Sequence, residues 1–116
     1  MTPHYDDAEP PRAAIDALRG PAIVEFGADW CGYCQAAQPL LAAALAGYAE
    51  VRHLKVADGK GRPLGRSFGV KLWPTIVFLR DGRELARVVR PTGEDEIRRG
   101  LDAIGLARRV PSGDER

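Results

Sequence analysis

The sequence predicts one α/β domain, a central mixed β-sheet with helices on both faces, and three observations carry that prediction. Strand-like and helix-like runs alternate between Ala22 and Ala57, an order that folds as a right-handed parallel strand-helix-strand unit. Two further strand-like runs flank Asp81-Gly82, a strong two-residue turn signal, and should pair as an antiparallel hairpin. A last amphipathic segment then supplies a closing helix. With 116 residues, 45% of them hydrophobic and 28% charged, the chain can bury one core but hardly two.

In chain order, residues 12–18 read as a short helix with Ile15 and Leu18 turned inward, stopped by Gly20-Pro21. Ala22 to Gly27 is a buried strand. Cys31 to about Tyr48 is a longer helix with an apolar stripe through Ala37, Leu40, Leu41, Ala44, Leu45 and Tyr48. Pro39 lies inside it and is expected to bend it, because proline removes a backbone donor and crowds the preceding turn. Val51 to Ala57 is the next strand. A glycine-rich turn follows, then a short helix around Leu64 to Phe68 that ends at Gly69. Thr75 to Leu79 and Glu84 to Val89 form the hairpin. The final helix starts near Thr92, carries Glu94, Asp95 and Glu96 where the helix dipole favours acids, buries Ile97, Leu101 and Ile104, and ends near Gly105. Residues 1–11, acidic and proline-rich, are expected to be a flexible segment, 12–106 the domain, and 107–116 a flexible tail.

Charge excludes little and suggests less. Lys plus Arg number 17 against 16 Asp plus Glu, so the formal charge of +1 gives no general reason to expect nucleic acid or an anionic membrane as partner. Arg98, Arg99, Arg108 and Arg109 read as the solvated face and end of the last helix. The longest wholly apolar run, Leu40 to Ala46, is far too short to cross a bilayer, and residues 1–11 contain no apolar signal core. The expectation is therefore a cytoplasmic monomer, or a periplasmic one if an export signal has been removed.

The chemistry is concentrated in Trp30-Cys31-Gly32-Tyr33-Cys34. It holds the only two cysteines, three apart, directly after a buried strand. If a helix begins at the first of them, both sulfurs lie on one helical face and can close a disulfide or stand open as a dithiol. The unpaired amides and positive dipole of that helix start favour a thiolate at Cys31, and the thiolate is the nucleophile of disulfide exchange. A zinc site would need two more ligands, and the remaining candidates, His4 in a loose terminus and His53 in an apolar strand, suit it poorly. A static structural disulfide is disfavoured because so short a loop restrains the unfolded chain little. In a reducing compartment such a pair is more often catalytic or redox-sensing than structural.

The run Ile23-Val24-Glu25-Phe26-Gly27-Ala28-Asp29-Trp30-Cys31-Gly32-Tyr33-Cys34, with Pro39 in the following helix, Phe68-Gly69-Val70, Trp73-Pro74-Thr75 and Asp81-Gly82, resembles the thioredoxin family in order and approximate spacing over about residues 12–105. The resemblance implies a thiol-disulfide oxidoreductase with no bound cofactor, whose Cys31-Cys34 disulfide is itself the redox group. It implies protein disulfides as substrates and an upstream electron donor such as a thioredoxin reductase or a glutathione system. The alternative is a redox-sensing adaptor or chaperone without general turnover. By the same resemblance Cys31 attacks, Cys34 resolves, Trp30 shields the site, and Pro74 is a cis-proline that leaves the backbone of Trp73 free to pair with substrate. Gly32, Tyr33 and Arg90 complete the substrate groove. Glu25 and Lys55 match a buried acid and a neighbouring lysine that move a proton to and from the resolving cysteine. Burial should raise the pKa of Glu25 and fit it to deprotonate Cys34, whereas a plain ion pair between strands is the simpler reading of the two.

Four departures bear on specificity. Gly27 stands where an aromatic residue is common, Tyr33 replaces the proline between the cysteines, bulky Trp73 precedes Pro74, and Arg90 occupies a position that is commonly glycine. The first strand of the family is nearly missing. Asp58 is read as part of a turn with no role.

Overall fold

Runs of six or seven residues rich in Val, Ile, Leu and Phe supply the strands of the computed structural model, which describes residues 4–48 and 50–106. They are β1 (Pro21–Gly27), β2 (Arg52–Ala57), β3 (Thr75–Arg80) and β4 (Arg83–Val89), joined through the helices α1 (Arg12–Asp16), α2 (Gly32–Leu45), α3 (Pro63–Ser67) and α4 (Glu94–Ala103). The sheet order is β2-β1-β3-β4. β1 runs parallel to β2 and antiparallel to β3, with Glu25 opposite Lys55 and Ile76. The sheet is therefore mixed, with β1 and β3 in its interior.

Both faces are covered, which is why β1 and β3 read as nearly continuous apolar runs instead of alternating ones. On one face Ile23, Ile76 and Phe78 pack with Leu41 and Ala44 of α2 and with Ile97 and Leu101 of α4. On the other, Val24, Phe26, Val77 and Leu79 pack with Ile15 of α1, Leu64 of α3 and Phe68. Gly100 lets α4 come close, since a Cβ there would stand 2.3 Å from Cε1 of Phe78. The hairpin turn has φ of +52° at Asp81 and +79° at Gly82, the doubly left-handed form that matches strand twist. Glu96 completes the start of α4 by accepting from the amides of Thr92 at 2.5 Å and Gly93 at 3.2 Å, two donors with no partner inside the helix.

The expected elements are all present, with boundaries that differ by a few residues. α2 begins at Gly32 because Cys31 is its N-cap, with extended backbone, and ends at Leu45 because Ala46 turns out of the helix before Gly47, whose φ is +89°. Pro39 stands inside α2 without ending it. The family's first strand is reduced to a single parallel bridge between Asp6 and Val56.

That bridge belongs to a set of long-range contacts that hold Tyr5 and Asp6. Residues 1–11 lack any periodic pattern, yet Asp6 donates to the carbonyl of Lys55 at 2.8 Å and accepts from the amide of Ala57 at 2.9 Å. Tyr5 beside it is only 7% exposed. The order comes from contacts far along the chain, to which local composition is blind. Residues 107–116, Arg108 and Arg109 among them, lie outside the described residues.

Candidate active site

β1 delivers the chain to one end of the sheet at Gly27, and a short turn through Ala28 leads into α2. Cys31 and Cys34 sit at its start, both as free thiols and both buried. Their environments differ. Cys31 is the N-cap, and its Sγ accepts from the amide of Cys34 at 3.3 Å, so a helix-start N–H with no carbonyl partner points at this sulfur. Cys34 lies one turn deeper. Burial and the hydrogen bond with Cys31 push its thiol up to about 12, against smaller lowering effects from the backbone of Ala28 and from Tyr5. Cys34 is therefore a protonated thiol at neutral pH.

Below the cysteines lies a polar cluster that the sheet register assembles. Glu25 is completely buried. One carboxylate oxygen accepts from Nε2 of His53 at 2.9 Å, and the other accepts from the Tyr5 hydroxyl and from Nε2 of Gln38 at 2.9 Å. Lys55, also buried, donates from Nζ to Oε1 of Gln38 at 2.8 Å and lies over the ring of Tyr5 at 4.6 Å. The amide of Gln38 is oriented by this arrangement, with its donor toward the carboxylate and its acceptor toward the ammonium. Nδ1 of His53 is buried without a hydrogen-bond partner among the described residues.

The expectation that burial would raise the pKa of Glu25 is corrected here. Burial does push it up, but hydrogen bonds from His53, Tyr5 and Gln38, aided by the charge of His53, outweigh burial and hold the carboxyl below its ordinary value. Sequence alone gives Tyr5 and Gln38 no role and weighs His53 only as a poor metal ligand. Two of them had a signal: His53 lies two residues before Lys55 on one strand, hence on the same face, and Gln38 lies one helical turn after Cys34. Tyr5 had none.

The rim is aromatic. Trp30 and Tyr33 are 76% and 60% exposed, and Leu72 is half exposed. The Trp30 ring meets the edge of Trp73 at 5.5 Å between centroids. Trp73 packs against the cluster of Cys31 and Cys34 while its indole N–H donates to Asp58 at 2.9 Å, so Asp58 does have a task. Gly65 makes room for it, because a Cβ there would fall 2.3 Å from Oδ1 of Asp58. Gly32 is exposed with open space around it. The Trp73-Pro74 bond is cis, and Pro74 is buried.

Arg90 does more than fill a glycine position. It holds φ at +51°, donates from Nε to the carbonyl of Trp73 at 2.8 Å, and lays its guanidinium over the ring of Tyr33 at 3.8 Å. The Trp73 carbonyl thus already accepts one hydrogen bond.

The thioredoxin family model matches residues 8–103. The chain belongs to the thioredoxin family. Its structure resembles thioredoxin 2 from Pseudomonas aeruginosa PAO1 in its reduced form, with 58% identity and a TM-score of 0.80 over 90% of this chain and 98% of that one. Among curated sequences it is 37% identical to a thioredoxin of Chlamydia muridarum, over 67% of this chain and 76% of the relative. A thioredoxin H-type of Picea mariana is 32% identical over 81% of this chain and 74% of the relative. Protein disulfide-isomerase A2 of Pongo abelii is 47% identical over 64 residues, but that stretch is only 12% of the isomerase. Within this family the Cys31-Cys34 pair makes the chain a thiol-disulfide oxidoreductase.

Proposed function

We propose that the protein reduces disulfides of protein substrates in the cytoplasm, taking electrons from a thioredoxin reductase or glutathione system and carrying them on its two cysteines without a bound cofactor. The observation that carries this reading is the inequality of the two sulfurs: Cys31 at the helix start with an amide aimed at it, Cys34 deeper and protonated. In the first step the Cys31 thiolate attacks a substrate disulfide, forming a mixed disulfide and releasing one substrate thiolate, which takes a proton from water. In the second Cys34 gives up its proton and attacks Sγ of Cys31. The Cys31-Cys34 disulfide forms, the second substrate thiolate leaves, and the substrate has gained two electrons. Turnover of a protein disulfide with a dithiol donor is the test; binding without turnover would instead indicate the redox-sensing adaptor.

Protein substrates suit the exposed rim of Trp30, Tyr33 and Leu72, an apolar patch around a reactive sulfur. Selectivity is supported by Arg90. A substrate strand that pairs with the Trp73 carbonyl competes with its guanidinium, whereas an acidic residue beside the target cysteine gains a fixed cation. On a panel of disulfide proteins, Arg90→Gly should speed neutral segments and slow acidic ones by about fivefold each, the equivalent of roughly 1 kcal/mol. Glycine adopts the left-handed backbone of this position without strain. Trp73→Ile should likewise reorder the panel, and an unchanged ranking in both variants would exclude selection by the groove.

A further inference from the structure

The N-terminal segment brings a phenol into the catalytic cluster through a gap that one glycine leaves open. A Cβ on Gly27 would lie 2.6 Å from Sγ of Cys34 and 2.8 Å from both Cζ and the hydroxyl oxygen of Tyr5. The sulfur and the hydroxyl therefore share the space beside one bare Cα, and Gly27 puts no side chain between them. The same hydroxyl donates to Glu25 and lies 3.4 Å from Nε2 of Gln38. The segment is held by its backbone, with the Tyr5 amide on Oδ1 of Asp29 at 3.0 Å and Asp6 bridged to β2. We propose that Tyr5 is the proton relay of this active site, passing the thiol proton of Cys34 to Glu25 as Cys34 attacks the mixed disulfide.

The relay supplies a path for the proton, while the driving force is the bond that Cys34 makes to Sγ of Cys31. A carboxylate held low by three hydrogen-bond donors is a poor base for a thiol as reluctant as Cys34. With the phenol between them, the Cys34 proton moves to the Tyr5 oxygen while the Tyr5 proton moves to Oε2 of Glu25. The chain of hydrogen bonds then reverses: Tyr5 donates to sulfur, Glu25 is a neutral acid, and Glu25 has lost one donor that kept it acidic. Because the sulfur spends its electron pair on Sγ of Cys31 at the same time, no free thiolate accumulates at Cys34, and the negative charge departs on the substrate sulfur. The groups facing this path are Glu25 on β1, His53 and Lys55 on β2, and Cys31, Cys34 and Gln38 at the start of α2, with Asp29 on the turn between.

This inference rests on the proposed order of attack and resolution, and its test separates the two. The reduced protein reacts with 5,5′-dithiobis(2-nitrobenzoate), releasing a first thionitrobenzoate as Cys31 attacks and a second as Cys34 resolves. Tyr5→Phe should leave the first release within about twofold and slow the second at least about tenfold at neutral pH. The slowed phase should accelerate with rising pH until it meets the wild-type rate, as hydroxide replaces the lost relay. In the unaltered protein, mixtures of light and heavy water should give a curved dependence of the second phase on deuterium content, the mark of two protons moving together. A second release in Tyr5→Phe with wild-type rate and pH dependence overturns the relay, as does a linear deuterium dependence in the unaltered protein, which needs no variant to fold. Loss of the first release in the Cys34→Ser protein would instead overturn the order of attack.

Discussion

Cys31→Ser is expected to abolish disulfide reduction, while Cys34→Ser keeps the attack and stops at the mixed disulfide. A serine hydroxyl does not ionise near neutral pH and cannot attack a disulfide sulfur, so loss at position 31 removes the first step altogether. Position 34 acts only afterward. Its thiol, pushed up to about 12, contributes nothing to attack on an external substrate, yet it is the group placed to displace that substrate from Cys31. Peptide mapping by mass spectrometry after incubation with a disulfide protein should find the substrate joined to Cys31 in the Cys34→Ser protein. A substrate joined to Cys34 in the Cys31→Ser protein would reverse the roles.

The second large effect falls on stability. Glu25→Gln should cost about 2 kcal/mol at neutral pH, because its amide keeps one acceptor oxygen and must turn its NH2 either to His53 or to Tyr5 and Gln38, which all donate to position 25. The cost should depend on pH in a definite sense. A carboxyl whose folded pKa is lowered contributes its full stability above the unfolded value of about 4.3 and loses it as pH falls through the folded value. The gap between wild type and Glu25→Gln should therefore be constant near neutrality and shrink on acidification below the ordinary carboxyl range. Urea unfolding across that range measures it, and a gap that widens toward acid would mean that burial dominates Glu25 after all.

Elements and cysteines were legible in the sequence because their causes are local. Asp81-Gly82 specifies its own turn, and the strand before Trp30 with the cysteines after it specifies a helix start at one end of the sheet. Glu25 was legible as a buried acid on an apolar strand, but its charge balance was not, since that depends on Tyr5, twenty residues earlier, and on His53 across the β1-β2 pair. Gly27 shows the limit well. The sequence marks it as an unusual residue for its position, yet only the packing shows that the missing side chain makes room for Tyr5 and Cys34 together. Arg90 is similar: its place in the groove follows from sequence, its grip on the Trp73 carbonyl and the Tyr33 ring from three dimensions.

The reduction potential, measured by equilibration with glutathione, tests most directly whether this pair works as a reductant tuned by its own first turn. Tyr33 restores an amide that proline would lack at the start of α2, and an added donor at a helix start favours an anion there. Stabilising the reduced form raises the potential. The expected value lies above the roughly −270 mV of thioredoxin and close to the glutaredoxin range of about −200 to −230 mV, with Tyr33→Pro moving it downward. A value at or below that of thioredoxin would contradict the role given to Tyr33, and one near the roughly −120 mV of the strong oxidant DsbA would contradict a reductant altogether.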